Sequence, residues 1–255
     1  MKIVVLLKQT FDTEEKISLQ NGKISEQGVE FIINPYDEYA VEEAMKLKEE
    51  LGAEVTILTV GPSRTESALR TALAMGADRA LMIEQNGSEL DEYVISNLIA
   101  AAIRDHGFDL ILGGNMAVDS GAGQIAVRLA EILGIPHVAA ITKLSIVGRN
   151  ATAERDVEGD LETIEVELPF LATAQQGLNE PRYPSLPGIM KAKKKPIEKV
   201  SADDLEISNE ERSVRTEVLD QYLPPKKQAG QILTGEMAHQ VSELVQQLRT
   251  KAKVI

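Results

Sequence analysis

Three stretches of this sequence hold residue types suited to binding chemistry. The first is INPYDEYA, residues 33–40, where a proline and acidic residues open a helix. Backbone N–H groups at such a start form an anion site; the plainer reading is an ordinary helix with Asn34 as its N-cap. The second is GGNMAVDSGAGQIA, residues 113–126. Its small residues let backbone approach a ligand, and the loop feeds a helix N-terminus, which suits a nucleotide phosphate. No G-K-[ST] follows, and no G-x-G-x-x-G follows the first strand, so it is neither a P-loop nor the dinucleotide fingerprint. The third is GLNEPRYPSLPGIMKAKKK, residues 177–195. Prolines at 181, 184 and 187 stiffen it, Leu186, Ile189 and Met190 are apolar, and lysines stand at 191, 193, 194 and 195. That basic run stands out in a chain of net charge −13.

Covalent catalysis is disfavoured. There is no cysteine, no G-x-S-x-G and no H-E-x-x-H, and the histidines, His106, His137 and His239, are widely spaced. The paired carboxylates Glu42–Glu43 and Asp203–Asp204 read as solvated faces, and His106 as a cation complementing a helix C-terminus. A nucleotide-bearing binding or carrier protein fits better than an enzyme with its own turnover. The acidic balance disfavours nucleic acid and anionic lipid, and 4% aromatics without Trp argue against an RNA-stacking surface. No apolar run approaches the ~20 residues that span a bilayer. MKIVVLLKQT suits a strand better than a signal peptide, so a cytoplasmic protein without direct membrane insertion is expected.

The elements that must position these stretches follow from hydrophobic period. A chain of 255 residues suits one large domain or a domain with an appendage. Up to about residue 142, apolar strands such as Ile3 to Leu7 alternate with helices such as NPYDEYAVEEAMKLKEELG, RTESALRTALAMG, EYVISNLIAAAIRDHG and GAGQIAVRLAEILG. This order predicts a mostly parallel sheet with helices on both faces, whose ligands bind past the carboxyl ends of the strands. Residues 143–174 read as a β-hairpin with turns near 148–150 and 159–160, followed by PFLATA returning to the sheet. After Lys195 comes a polar segment of little periodicity, read as an arm that packs on another chain, and then a helix from about 234 to 251. The division expected is a nucleotide-binding α/β domain over 1–199 and an extended arm ending in a helix over 200–255.

INPYDEYAVEEAMKLKE, RTALAMGADRA, LILGGNMAVDSGAGQ, DLETIEVELPFLATAQQGLNEPRYPSLPGIMKAKKK and KKQAGQILTG run in this order over essentially the whole chain. Together they resemble the small, beta subunit of electron transfer flavoprotein. The resemblance implies an adenine nucleotide alpha hydrolase-like fold and a heterodimer with a larger alpha subunit that holds the redox FAD. It implies electron transport in fatty acid oxidation, from acyl-CoA dehydrogenases to a membrane flavoprotein:quinone oxidoreductase. A structural AMP is implied at Leu6, Asn34, Pro35, Tyr36, Asp37, Val60, Gly114, Asn115, Met116, Ala117, Val118, Asp119, Ser120, Gly121, Ala122, Gly123, Gln124 and Ile125. Tyr36, Arg155 and Asp156 would lie near the partner's FAD. Docking onto dehydrogenases would use Tyr183, Leu186, Pro187, Ile189, Met190, Lys191, Lys193 and Lys194, with Leu186 as apolar anchor. DSGAGQIAV matches Asp119 and Gln124 but lacks the threonine and Gly-Pro of the electron-bifurcating members, which bind a second FAD in place of AMP. AMP is therefore expected, with a second FAD as the alternative. A stand-alone nucleotide sensor of the universal-stress type would share the α/β half and leave the loop and arm without purpose.

Overall fold

The computed structural model describes residues 1–85, 90–227 and 229–255; Gln228 of KKQAGQILTG lies outside the described residues. Two compact units result: Met1–Ile17 with Glu26–Leu219, and Ser18–Ser25 with Asp220–Ile255.

The first unit begins with β1 (Lys2–Leu6), whose unbroken apolar run is buried on both sides. The next strand, β2 (Gln9–Phe11), pairs antiparallel with β5 (Phe31–Ile33), and β3 (Leu19–Gln20) and β4 (Lys23–Ile24), which lie between them in the chain, belong to the second unit. Helix α1 (Pro35–Leu51) follows directly. Pro35 needs no N–H at the helix start, Asp37 and Glu38 sit in the first turn, and Gly52 closes the helix at φ 66° with its N–H on the Lys48 carbonyl. Then come β6 (Glu54–Gly61), α2 (Glu66–Met75), β7 (Arg79–Glu84), α3 (Glu92–Ile103), β8 (Leu110–Gly114) and α4 (Ile125–Leu133). The chain continues through β9 (His137–Val147), β10 (Asn150–Val157), β11 (Asp160–Glu167) and β12 (Phe170–Ala174). Short helix α5 (Leu186–Ala192) and strand β13 (Glu198–Ser201) complete the set.

Nine of these strands form one sheet in the order β11-β10-β9-β12-β8-β1-β6-β7-β13. All pairings from β9 to β13 are parallel, while β9, β10 and β11 run antiparallel. This is the α/β class read from the strand–helix alternation, with PFLATA back in the sheet between β8 and β9. Alternate side chains of β1 serve two cores: Ile3 and Val5 pack with α1 and α2, and Val4 and Leu6 pack with α3 and α4. Each fully buried leucine there, such as Leu69 or Leu129, contributes roughly 1.5–3 kcal/mol.

The polar segment after Lys195 is less irregular than its composition indicates, because residues 198–201 pair with β7 at the sheet edge. Edge strands are short and charged, so their sequences show no alternation. Beyond it, Asp91 acts as a latch. Its carboxylate caps α3 by accepting from Val94 N–H at 3.0 Å and also accepts from Thr216 N–H at 3.0 Å. Arg215, whose N–H bonds the same carboxylate, lays its guanidinium over the Tyr93 ring at 4.9 Å.

In the second unit, β3 (Leu19–Gln20) and β4 (Lys23–Ile24) form a two-residue hairpin through Asn21 and Gly22, both at positive φ. Gln221 accepts from the Ile24 N–H at 3.0 Å. Helix α6 (Met237–Gln247) is shorter than its apolar period indicates: Gly235 lies at φ 109°, and Leu248–Ala252 winds as a π-type turn. Met237, Val241 and Leu244 of α6 are exposed. Among the described residues no helix is long and apolar enough to cross a membrane.

Candidate functional site

The carboxyl ends of β1 and β8 and the start of α1 are tied together by one buried carboxylate. Asp37 accepts from the Lys8 N–H at 2.7 Å and from the Gly114 N–H at 2.9 Å. Burial pushes the Asp37 carboxyl up to about 7, against the pull of these donors. Glycine is required at 114, since a Cβ there would stand 2.4 Å from Asp37 Oδ1 and 2.7 Å from Tyr36 Cβ. Asn34 does not spend its side chain on capping α1. Its amide donates to the Met116 carbonyl at 2.9 Å and accepts from the Val118 N–H at 3.0 Å, which pins the following loop. That loop turns through Gly121 and Gly123 at φ 63° and 58° and delivers the N-terminus of α4. No side chain caps this helix start, because Gln124 accepts instead from Arg128.

Around these ties lies a cavity of about 260 Å³. Of the positions where the resemblance implies a nucleotide, Leu6, Asn34, Asp37, Val60, Gly114, Asn115, Met116, Ala117, Ser120, Ala122, Gly123, Gln124 and Ile125 line it. Pro35, Tyr36, Val118, Asp119 and Gly121 do not. Val118 and Asp119 act one step removed, on Asn34 and on Lys8. Sequence reasoning missed Lys8, whose ammonium lies 2.7 Å from Asp119 Oδ1, and the wall of Leu58, Leu90, Glu92, Ile95 and Ile99. The signal for Lys8 was its place directly after a buried strand. The α3 wall has no such signal, since its helical period reports one buried face without saying what the face meets.

Arg155 and Asp156 lie on β10, away from the cavity lining, with Arg155 paired to Glu162 of β11 at 2.8 Å. The strand register shifts between Glu154 and Arg155.

The proline-rich segment forms a second feature. Tyr183, Leu186 and Met190 are 96%, 80% and 62% exposed, and Pro187, Ile189, Lys191, Lys193 and Lys194 are also exposed. Local packing of Leu186 is thereby excluded in the free chain. The Ser185 hydroxyl caps α5 through the Gly188 N–H at 3.1 Å. Gly188 lets α5 sit against α2, since a Cβ would stand 2.3 Å from the Ala74 carbonyl oxygen. Arg70 donates to the Ala192 and Lys195 carbonyls at 2.8 and 2.6 Å. Lys195 differs from its neighbours: its ammonium donates to the Ala77 carbonyl, and it is half-buried.

Glu42 and Glu43 correct the reading of a solvated face: they are 5% and 2% exposed. Glu42 takes a forked pair from Arg182, with Nε–Oε2 at 2.8 Å and Nη2–Oε1 at 2.9 Å. Glu43 accepts from Asn179 at 2.9 Å and from Lys46 at 3.1 Å. Arg182 and Asn179 lie far along the chain, so the burial of the adjacent acids was not visible in the sequence.

Comparison with known proteins agrees with this anatomy. A model of the electron transfer flavoprotein domain matches residues 21–205. The chain is 57% identical to electron transfer flavoprotein subunit beta of Bacillus subtilis (strain 168), over all of both chains. This chain belongs to the electron transfer flavoprotein beta-subunit family. It is also 42% identical to the corresponding subunit of Syntrophomonas wolfei, covering all of this chain and 98% of the other. To caffeyl-CoA reductase-Etf complex subunit CarD of Acetobacterium woodii it is 36% identical, covering 98% and 99%. The role of a beta subunit of this family is electron transfer, with a flavin involved and an alpha subunit as partner.

Proposed function

We propose that this chain pairs with an alpha subunit holding the redox FAD and forms with it a cytoplasmic electron carrier without substrate turnover of its own. The heterodimer takes electrons from acyl-CoA dehydrogenases in fatty acid oxidation and passes them to a membrane flavoprotein:quinone oxidoreductase. The observation that carries this reading is one compact unit combining a cavity at the strand ends with an exposed apolar platform flanked by lysines. The cavity fits a structural AMP. Lys8, paired with Asp119 at 2.7 Å, is the one cation among the described lining residues, and Gln124 and Ile125 at the α4 N-terminus line the cavity as well. One cation and one helix start match a single phosphate, while Leu58, Val60, Ile95 and Ile99 suit a flat apolar base. AMP contributes no chemistry there; the flavin supplies the redox step when bound.

Docking of dehydrogenases runs through Tyr183, Leu186, Pro187, Ile189, Met190, Lys191, Lys193 and Lys194. Tyr36, Arg155 and Asp156 face the partner's flavin. Residues 200–255 carry the arm expected on the alpha subunit; 200–219 pack on this chain's own first unit, so the part that reaches the partner is 220–255, a reading supported by the exposed Met237, Val241 and Leu244 of α6. A second FAD in place of AMP is the alternative, weighed because of the likeness to a subunit of a caffeyl-CoA reductase complex. Nucleotide extraction and mass analysis of the co-expressed native heterodimer decide between them. One FAD and one AMP are expected; two FADs without AMP would establish the alternative. A colourless chain that never pairs with an alpha subunit would overturn the whole reading.

A further inference from the structure

The docking segment is bolted to α1 by charge, at a site remote in sequence and separate from the exposed platform. Arg182 forks onto Glu42, which is 5% exposed, and reaches Glu49 seven residues along the same helix. The Arg182 backbone N–H also bonds Glu42, at 3.1 Å. Asn179 adds two bonds to the same helix, to the Tyr39 carbonyl at 3.0 Å and to Glu43 at 2.9 Å. The next residue after this bolt is Tyr183, which is 96% exposed. Glu42, buried, spends both its oxygens on one arginine, whose other ion pair is with the exposed Glu49 of the same helix. A surface loop needs no such anchor merely to stay folded, because loops tolerate mobility.

We propose that Arg182 is a positioning residue: through Glu42 it holds the segment in its docked geometry before any dehydrogenase arrives. This rests on the docking reading given above. A preordered segment loses less conformational entropy on binding, so the gain appears in affinity and not in the electron-transfer step itself. Lysine cannot replace the arginine, since a point charge does not make the planar fork that fixes orientation.

Steady-state reduction of the purified heterodimer by an acyl-CoA dehydrogenase tests this. Arg182→Gln strands the buried Glu42 charge and risks misfolding, so the decisive variant is the double change Arg182→Met with Glu42→Leu. Buried ion pairs replaced by apolar residues of similar size usually keep the fold. The expected result is a KM for the heterodimer raised roughly three- to tenfold, the cost of ordering one or two side chains at the interface. The turnover number and the photoreduction of the flavin stay unchanged, and amides of 179–192 exchange faster with solvent. Arg182→Lys should show the same KM rise in reduced form. An unchanged KM with unchanged exchange overturns the inference, as does a KM rise accompanied by an equal fall in turnover. Leu186→Ala run beside it separates the two layers. If Leu186→Ala weakens docking and the double variant does not, only the positioning role fails; if Leu186→Ala has no effect, the docking reading fails and takes the inference with it.

Discussion

The cavity and the docking segment solve opposite problems with opposite materials. The cavity must be concave and must admit backbone to its ligand. It is shaped by glycines and by two buried polar side chains, Asp37 and Asn34, that bond backbone groups of neighbouring loops. The proline-rich segment, on the docking reading proposed above, must be convex and must hold apolar side chains out in water. It is held from beneath by long cations: Arg182 on Glu42, Arg70 on the end of α5, and Lys195 on the Ala77 carbonyl. Short side chains pull backbone together; long charged ones span a gap and leave the surface free. Sites for small ligands and sites for proteins therefore draw on different residues even when both rest on α1.

Breaking the cavity should produce the largest effect on the stability of the chain. Gly114→Ala puts a methyl group within 2.4 Å of Asp37 Oδ1. Overpacking against backbone costs on the order of 1–3 kcal/mol, occasionally more, and here it also pushes apart the Asp37 bonds. Thermal unfolding should fall by several degrees and nucleotide content should drop; an unchanged melting temperature would show that the strand ends can separate without cost.

On the convex side, Leu186→Ala should leave the melting temperature in place, because the side chain is 80% exposed. Docking should weaken by roughly 2–4 kcal/mol, the range of an interface hot spot. A fall in stability with no change in dehydrogenase affinity would assign the leucine to the fold.

A pH series sharpens the contrast through Asp37. Its carboxyl is raised from 3.8 unfolded to about 7 folded, chiefly by burial. The folded state thus binds the extra proton between those values, and this contribution to stability, full below 3.8, is lost as pH rises through about 7. Denaturant midpoints from pH 5 to 8 should decline in the wild type more steeply than in Asp37→Asn. The variant should itself be weaker by about 1–3 kcal/mol at pH 5, since an amide N–H faces one of the two N–H donors. Parallel pH profiles would remove Asp37 as the titrating tie.

The smallest effect belongs to the free lysines. Lys193→Gln with Lys194→Gln should slow dehydrogenase association and flatten its salt dependence, by less than about 1 kcal/mol in affinity. Lys195→Gln should instead lower stability, since its ammonium is already spent on Ala77. Stopped-flow reduction over a salt series distinguishes the two classes.

By itself the sequence determined everything that depends on local period and local chemistry. Continuous apolar runs made strands buried on both sides, the 3.6-residue period with Pro35 and Gly52 bounded α1, and the glycine-rich loop announced a close backbone approach. The exposure of Leu186 is an expectation of the family resemblance and not of local period, since the prolines of its segment only limit the chain's freedom. The tertiary structure alone decided the rest. It inserted β12 between β8 and β9, made an edge strand of residues 198–201, and set the α3 wall against the cavity. It turned Glu42 from a solvated acid into the seat of Arg182, 140 residues away. Periodicity reports which face of an element is buried, because that depends on neighbours three or four positions along the chain. Which distant charge or strand meets that face depends on sheet order, and sheet order is settled only when the whole core packs.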